Sequence, residues 1–136
     1  MADFNKIGLL VVRDNKILLC REQDLDALIL PGGTVEGNET STECLDRELH
    51  EELGSVTVAD LTYIGIYDFE AASDPQKTVE IKLYKGELKG EPVPNGEVEE
   101  LVWFGQDADW NRLSPILVHK ILPDLIKRKI LDWSLV

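Results

Sequence analysis

Three glutamates, Glu48, Glu51 and Glu52, stand three and four residues apart in a segment with helical periodicity. At about 100° per residue they share one face of a helix, beside an apolar stripe. That stripe consists of Leu45, Leu49 and Leu53. Like charges at these spacings repel one another, and the helix dipole disfavours anions in the last turn. Oxygen ligands crowded in this way favour a hard divalent cation, Mg²⁺ or Mn²⁺; the alternative is a solvated acidic face.

The helix that carries these glutamates has a start and a stop in the sequence. Any of residues 40–42 can act as the N-cap, and Thr40 with Glu43 fits a capping box. Gly54 fits the position after the last turn, where a positive φ is needed. The sequence therefore predicts a helix that leaves a glycine loop and ends at Gly54.

The spacing around this helix resembles the Nudix box. Gly33 is followed by a glutamate after five residues, and by the run RELHEELG after seven more. The family pattern is G-x5-E-x7-R-E-U-x-E-E-x-G-U, in which U is a bulky aliphatic residue. Residues 33–55 match each fixed position except the last, where Ser55 stands and Val56 follows. The chain is thus similar to the Nudix hydrolases, of the MutT-like kind.

The resemblance implies a metal site on the glutamate helix. It implies that Glu48, Glu51 and Glu52 hold Mg²⁺ or Mn²⁺, and that one of them helps to deprotonate the attacking water. The main-chain carbonyl of Gly32 matches a further metal ligand.

Many family members add a carboxylate from a later loop, as a metal ligand or as the base. Glu97 is the leading candidate for this role, because it follows a Gly-containing loop and precedes a predicted strand. Glu80, Glu99 and Glu100 compete with it. The alternative for each is a solvated charge at a strand edge.

Other matched positions are implied to be structural. Glu39 and Arg47 are expected to form an ion pair that ties the loop to the helix, while Gly33 and Gly37 permit the turns of the loop. We also expect Gly33 to lie against the substrate.

Arg21 is a candidate for binding a substrate phosphate, because it stands at a predicted strand end near the glycine loop. The alternative is a surface arginine paired with Glu22 or Asp24.

The remaining sequence predicts the elements that position this site. Strands are expected at residues 6–12, 17–20, 28–30, 56–58, 61–69, 78–84 and 98–104. Residues 86–96 are rich in Gly and Pro and are expected to form an irregular loop. A second helix is expected from Ser114 as N-cap and Pro115 in its first turn, with a kink or restart at Pro123. Helices far apart in sequence predict an α/β fold, a mixed, curved sheet between helices, in agreement with the α/β/α sandwich of the family.

Chain length, net charge and composition limit the class of protein that this sequence can encode. We expect one Nudix hydrolase domain over residues 1–136, monomeric or homodimeric. The net charge of −12 argues against duplex nucleic acid as a partner. Residues 1–5 do not resemble a signal peptide, and no apolar run suits a membrane helix. Cys20 and Cys44 read as buried, reduced thiols of a cytoplasmic protein.

The expected reaction is Mg²⁺-dependent hydrolysis of a nucleoside diphosphate linked to another moiety. The short chain resembles the MutT-type nucleoside triphosphate pyrophosphohydrolases, which implies release of a nucleoside monophosphate and pyrophosphate. One alternative is an ADP-sugar or dinucleotide pyrophosphatase. The other is a non-catalytic module that only binds a nucleotide.

Overall fold

The computed structural model describes residues 2–134 and contains strands, two longer helical segments and a short 3₁₀ turn. The strands are β1 (Phe4–Leu10), β2 (Val12–Arg13), β3 (Lys16–Glu22), β4 (Gly32–Gly33), β5 (Thr57–Glu70), β6 (Thr78–Lys89) and β7 (Val98–Phe104). The helices are α1 (Ser41–Leu53), the 3₁₀ turn Trp110–Arg112, a π-helical stretch (Leu117–Ile121) and α2 (Leu122–Lys127). None of the helices within residues 2–134 has the length and apolar character needed to cross a bilayer.

The strands form two sheets. One has the order β4-β1-β6-β5, in which β1 is parallel to β6 and the other neighbours are antiparallel. The second has the order β2-β3-β7 and is antiparallel. In the first sheet, Ile7 lies opposite Gly33, and Gly8 lies opposite Gly32. The glycine pair is therefore held at a sheet edge by β1.

Apolar side chains cover both faces of the strands, as the continuous apolar runs predicted. On one face, Ile7 and Leu9 of β1 pack with the apolar stripe of α1. On the other face, Leu10 packs with the C-terminal helical segment through residues such as Leu117 and Leu125. Helices on both faces of the strands, with one mixed and one antiparallel sheet, confirm the predicted α/β class.

Helix α1 begins and ends at residues chosen by local chemistry. The Thr40 hydroxyl accepts a hydrogen bond from the Glu43 N–H at 3.1 Å, and the Glu43 carboxylate accepts one from the Thr40 N–H at 3.0 Å. Gly54 ends the helix with a φ of 82°. The predicted capping box and stop are both present.

Several predicted strand limits are wrong. The strands predicted at 56–58 and 61–69 form one strand, β5, which starts at Thr57, because a bulge at Asp60 (φ 56°) lets pairing with β6 continue through a register shift. Strand β6 extends to Lys89, so the irregular loop starts later than expected. Residues 28–30 form only isolated bridges, to Cys20 and Leu113.

The second helix begins where the sequence predicted, but without the predicted side-chain cap. Pro115 is its first helical residue, but the Ser114 hydroxyl is buried and has no hydrogen-bond partner, so it does not act as a side-chain cap. A π-helical stretch (Leu117–Ile121) runs into α2, and Pro123 lies in the first turn that follows. The wider π turn accommodates Pro123, which has no N–H to donate, so the helical segment continues through the proline.

Candidate active site

The glycine pair of β4 permits close contact between the sheet edge and α1. A side chain at Gly32, whose φ is 144°, would collide with the main-chain carbonyl of Ile7. A Cβ atom at Gly33 would overlap the carboxyl group of Glu48. The site therefore depends on two positions where only hydrogen fits.

Arg47 joins the glycine loop to the helix. Its Nε donates to Glu39 Oε2 at 2.7 Å, and its Nη2 donates to Glu39 Oε1 at 3.0 Å and to the Thr34 carbonyl at 2.9 Å. Its Nη1 donates to Glu48 Oε1 at 3.0 Å. These bonds hold the pKa of Glu39 down, at about 2. The expected pair of Glu39 and Arg47 is present, and it also orients Glu48.

Glu52 is the most deeply placed acid of the site, only 7% exposed. It accepts a hydrogen bond from the Gly32 N–H at 3.0 Å. Burial nevertheless raises the pKa of Glu52 to about 8, since one hydrogen bond does not replace the lost water. Burial also raises the pKa of Glu48, against the opposing effect of Arg47. Two neighbouring carboxyl groups are thus held where negative charge is disfavoured.

A cavity of about 300 Å³ opens beside these carboxylates. Glu22, Glu48 and Glu52 line it, together with Gly32 and Gly33. Its apolar lining includes Leu25, Ile29, Leu30, Val79, Ile81 and Ile116. One cavity therefore combines an acidic region with an apolar wall, as binding sites for small molecules commonly do.

Some of the predicted site residues lie outside this cavity. Glu51 has a 60% exposed side chain and lies 3.6 Å from Arg47 Nη1. Arg21 forms ion pairs with Glu99 at 3.1 Å and Glu100 at 3.2 Å, which are neither of the partners expected for it. The register of β3 with β7 places Arg21 opposite Glu100. The geometry therefore favours a structural role for this arginine.

Glu97 is exposed in the turn before β7 and does not line the cavity. Its main-chain carbonyl accepts a hydrogen bond from the Gln23 N–H at 2.7 Å. The nearby acid that does line the cavity is Glu22, which lies beyond the strand predicted at residues 17–20 although β3 extends through it. The signal for Glu22 was its position two residues beyond the apolar run of that strand. A catalytic role for Glu97 stays a prediction.

The donor set suits a hard divalent cation. Glu48 and Glu52 offer oxygen ligands at the cavity, and both are disfavoured as uncompensated anions. Within residues 2–134, no three acidic, histidine or cysteine side chains converge on a single point as a formed metal cage. A cation bound here would accordingly draw in further oxygen ligands.

Comparison with known proteins identifies relatives of this arrangement. The family model for the NUDIX domain matches residues 5–114. The NAD-capped RNA hydrolase NudC of Pseudomonas aeruginosa is 33% identical over 106 residues, which cover 73% of this chain and 35% of that protein. The RNA pyrophosphohydrolase of Halorhodospira halophila is 42% identical over 60 residues, 43% of this chain and 33% of that protein. The chain thus spans about a third of the length of the curated relatives it matches.

Among solved structures, the fold is similar to that of a MutT NUDIX hydrolase from Burkholderia pseudomallei. The TM-score is 0.69 at 28% sequence identity, and the match covers 82% of this chain and 90% of the other. The agreement extends well beyond the glutamate helix, to most of both chains.

Proposed function

Because the chain belongs to the NUDIX family, we propose that it is a divalent-metal-dependent hydrolase of a pyrophosphate bond in a nucleotide. One observation carries this proposal. The buried carboxylate of Glu52, the half-buried carboxylate of Glu48 and the glycine backbone line the same cavity as an apolar wall. A diphosphate is thereby accommodated at one end while the rest of the substrate packs on the other.

Each residue has a proposed role. Glu48, Glu51, Glu52 and the Gly32 carbonyl are the proposed ligands of Mg²⁺ or Mn²⁺. Such a cation, when bound, neutralises the diphosphate and polarises the phosphorus under attack. Arg47 fixes the orientation of Glu48 through their 3.0 Å hydrogen bond. A glutamate of the site takes the proton of a water molecule as its oxygen bonds to phosphorus and the anhydride bond breaks.

The leading substrate is a nucleoside triphosphate, cleaved to a nucleoside monophosphate and pyrophosphate. The small cavity supports it, since about 300 Å³ suits one nucleoside portion better than an extended ligand. The second candidate is the pyrophosphate bond of a dinucleotide or ADP-sugar. It is favoured by the similarity to a protein named for NAD-capped RNA.

The test is a panel of nucleoside triphosphates, ADP-sugars, dinucleotides and NAD-capped RNA, assayed with and without Mg²⁺ by separation of the products. We expect Mg²⁺-dependent turnover of at least one class. Tight binding of a panel member without any turnover would instead support a non-catalytic module.

Variants of the individual acids test the assigned roles. We expect Glu52→Gln to lower kcat by roughly 10²-fold or more while the far-UV circular dichroism spectrum is preserved. Glu22→Gln and Glu97→Gln, compared under the same conditions, show which of the two acids takes part. The cavity lining favours a larger loss for Glu22→Gln. Unchanged turnover of Glu52→Gln would refute the proposed ligand set.

A further inference from the structure

Lys6 is the only lysine or arginine among the described residues that line the cavity. It lies on β1 opposite Ile81 of β6, and alternate residues of these strands form the cavity floor. The neighbours of Lys6 on that floor are Phe4, Gly8, Val79 and Ile81. A single ammonium group therefore stands on a floor that is otherwise apolar or without side chains.

The ammonium group of Lys6 has no anion bound to it within the part of the chain that the structure describes. None of the ion pairs found at 4.0 Å or less includes Lys6. Its charge still acts across the cavity, because it lowers the pKa of Glu52 against the larger effect of burial. By contrast, Arg21 and Arg47 each form ion pairs with two or more carboxylates.

A cation beside apolar side chains is costly unless an anion pairs with it. Glu22, Glu48 and Glu52 line the same cavity, yet none of them lies within 4.0 Å of the Lys6 ammonium group. The side chain is half-buried on the floor and remains available to a ligand. Gly8 keeps the floor open beside it, since a Cβ atom there would come within 3.0 Å of Ile81.

We infer that Lys6 binds a non-bridging oxygen of the substrate's phosphate chain and positions the diphosphate against the glutamates. This inference rests on the proposed function, and it adds a substrate contact from β1, outside the glycine loop and the glutamate helix. Lys6 is a positioning residue that compensates phosphate charge, while the carboxylates are reserved for the metal ion.

The variant that tests this is Lys6→Gln, and Lys82→Gln is its matched control. Both remove one positive charge from neighbouring strands of the same sheet. Lys82, however, lies outside the cavity lining, with its ammonium group 5.9 Å from the ring centre of Tyr63 and 5.8 Å from that of Tyr84. Lys6→Arg retains the charge and serves as the conservative variant.

The measurement is calorimetric titration of α,β-methylene-ATP, whose bridge resists hydrolysis, into protein that contains Mg²⁺. We expect Lys6→Gln to weaken binding at least about tenfold, since hydrogen bonds between charged groups contribute at this level. Lys6→Arg should retain affinity within about threefold, and Lys82→Gln should bind as the wild type does. Titration of Mg²⁺ alone should show equal or higher affinity in Lys6→Gln, because a repelling charge is removed.

Two outcomes overturn the inference. One is an affinity of Lys6→Gln for the analogue within twofold of the wild type. The other is an equal loss in Lys6→Gln and Lys82→Gln, which indicates only overall charge. The substrate panel tests the proposed function separately. If the wild type turns over a substrate but Lys6→Gln binds the analogue normally, only the role of Lys6 is refuted. If the titrations give the expected result but no substrate is turned over, only the hydrolase activity is refuted.

Discussion

Replacing Glu52 with glutamine should stabilise the metal-free protein while it abolishes most of the turnover. Glu52 is 7% exposed and accepts one hydrogen bond, from the Gly32 N–H. Its pKa is raised from 4.5 to about 8 because burial disfavours the carboxylate. Glutamine has nearly the same shape, stays neutral at all pH values and can accept the same hydrogen bond.

The magnitude follows from proton linkage. The folded protein binds the Glu52 proton more tightly than the unfolded chain, so this group favours folding fully below pH 4.5. That contribution is lost as the pH rises through about 8. The loss amounts to about 2 kcal/mol at pH 6 and about 5 kcal/mol at pH 9, at 1.36 kcal/mol per pKa unit. Glutamine does not titrate, so the variant should gain about 3 kcal/mol on the wild type between these pH values.

Urea unfolding followed by tryptophan fluorescence, with EDTA at pH 6 and pH 9, measures this difference in the free energy of unfolding. Glu51→Gln is the matched control on the same helix, because its side chain is 60% exposed. Losing the 3.6 Å approach of Arg47 to Glu51 should cost less than about 1 kcal/mol at either pH. If the free energy of unfolding had the same pH dependence in the wild type and in Glu52→Gln, burial would not disfavour the Glu52 carboxylate, and the reasoning would be refuted.

Adding Mg²⁺ should reduce the stability advantage of Glu52→Gln over the wild type. A ligand present at 100 times its dissociation constant stabilises the folded protein by about 2.7 kcal/mol. We expect the wild type to gain this from Mg²⁺ at saturating concentration and Glu52→Gln to gain much less. A similar gain in both proteins would place the cation elsewhere.

Two further substitutions test particular contacts. Gly33→Ala should displace the Glu48 carboxyl and weaken Mg²⁺ binding at least about tenfold by calorimetry, because its Cβ overlaps that group. Gly65→Ala, where a Cβ comes no nearer than 3.7 Å to another side chain, should bind Mg²⁺ normally. Ser114→Ala should raise the free energy of unfolding by about 1 kcal/mol in urea, because its buried hydroxyl has no partner. Ser41→Ala is the control and should lower the free energy of unfolding, since the Ser41 hydroxyl is hydrogen-bonded to Tyr84. A loss of stability in Ser114→Ala would show that the Ser114 hydroxyl has a hydrogen-bond partner.

Local chemistry made the glutamate helix predictable. The capping box of Thr40 and Glu43 and the positive φ of Gly54 are properties of neighbouring residues, so sequence alone placed both ends. The ion pair of Glu39 and Arg47 spans a single loop and was expected from the resemblance to the Nudix box. Such features depend on few residues and hold whatever the rest of the chain does.

Features set by pairing between distant strands were not predictable. Arg21 meets Glu100 because of the register of β3 with β7, which joins residues 79 apart in sequence. Lys6 lies at the cavity because β1 is placed between two strands, parallel to β6 on one side and antiparallel to β4 on the other. The bulge at Asp60 joined two predicted strands into one, since turn-like residues also occur inside bulged strands.

The bonds of Arg47 also have a consequence for local opening. One guanidinium group holds the Thr34 carbonyl, Glu39 and Glu48, so the loop before α1 cannot detach without releasing its hold on the helix. Loop and helix should therefore open as a single cooperative unit. In native-state hydrogen exchange, the hydrogen-bonded amides of Glu36, Glu39 and Thr40 and those of the middle of α1 should share one opening free energy. The loop in the metal-free protein should be far less mobile than its length suggests.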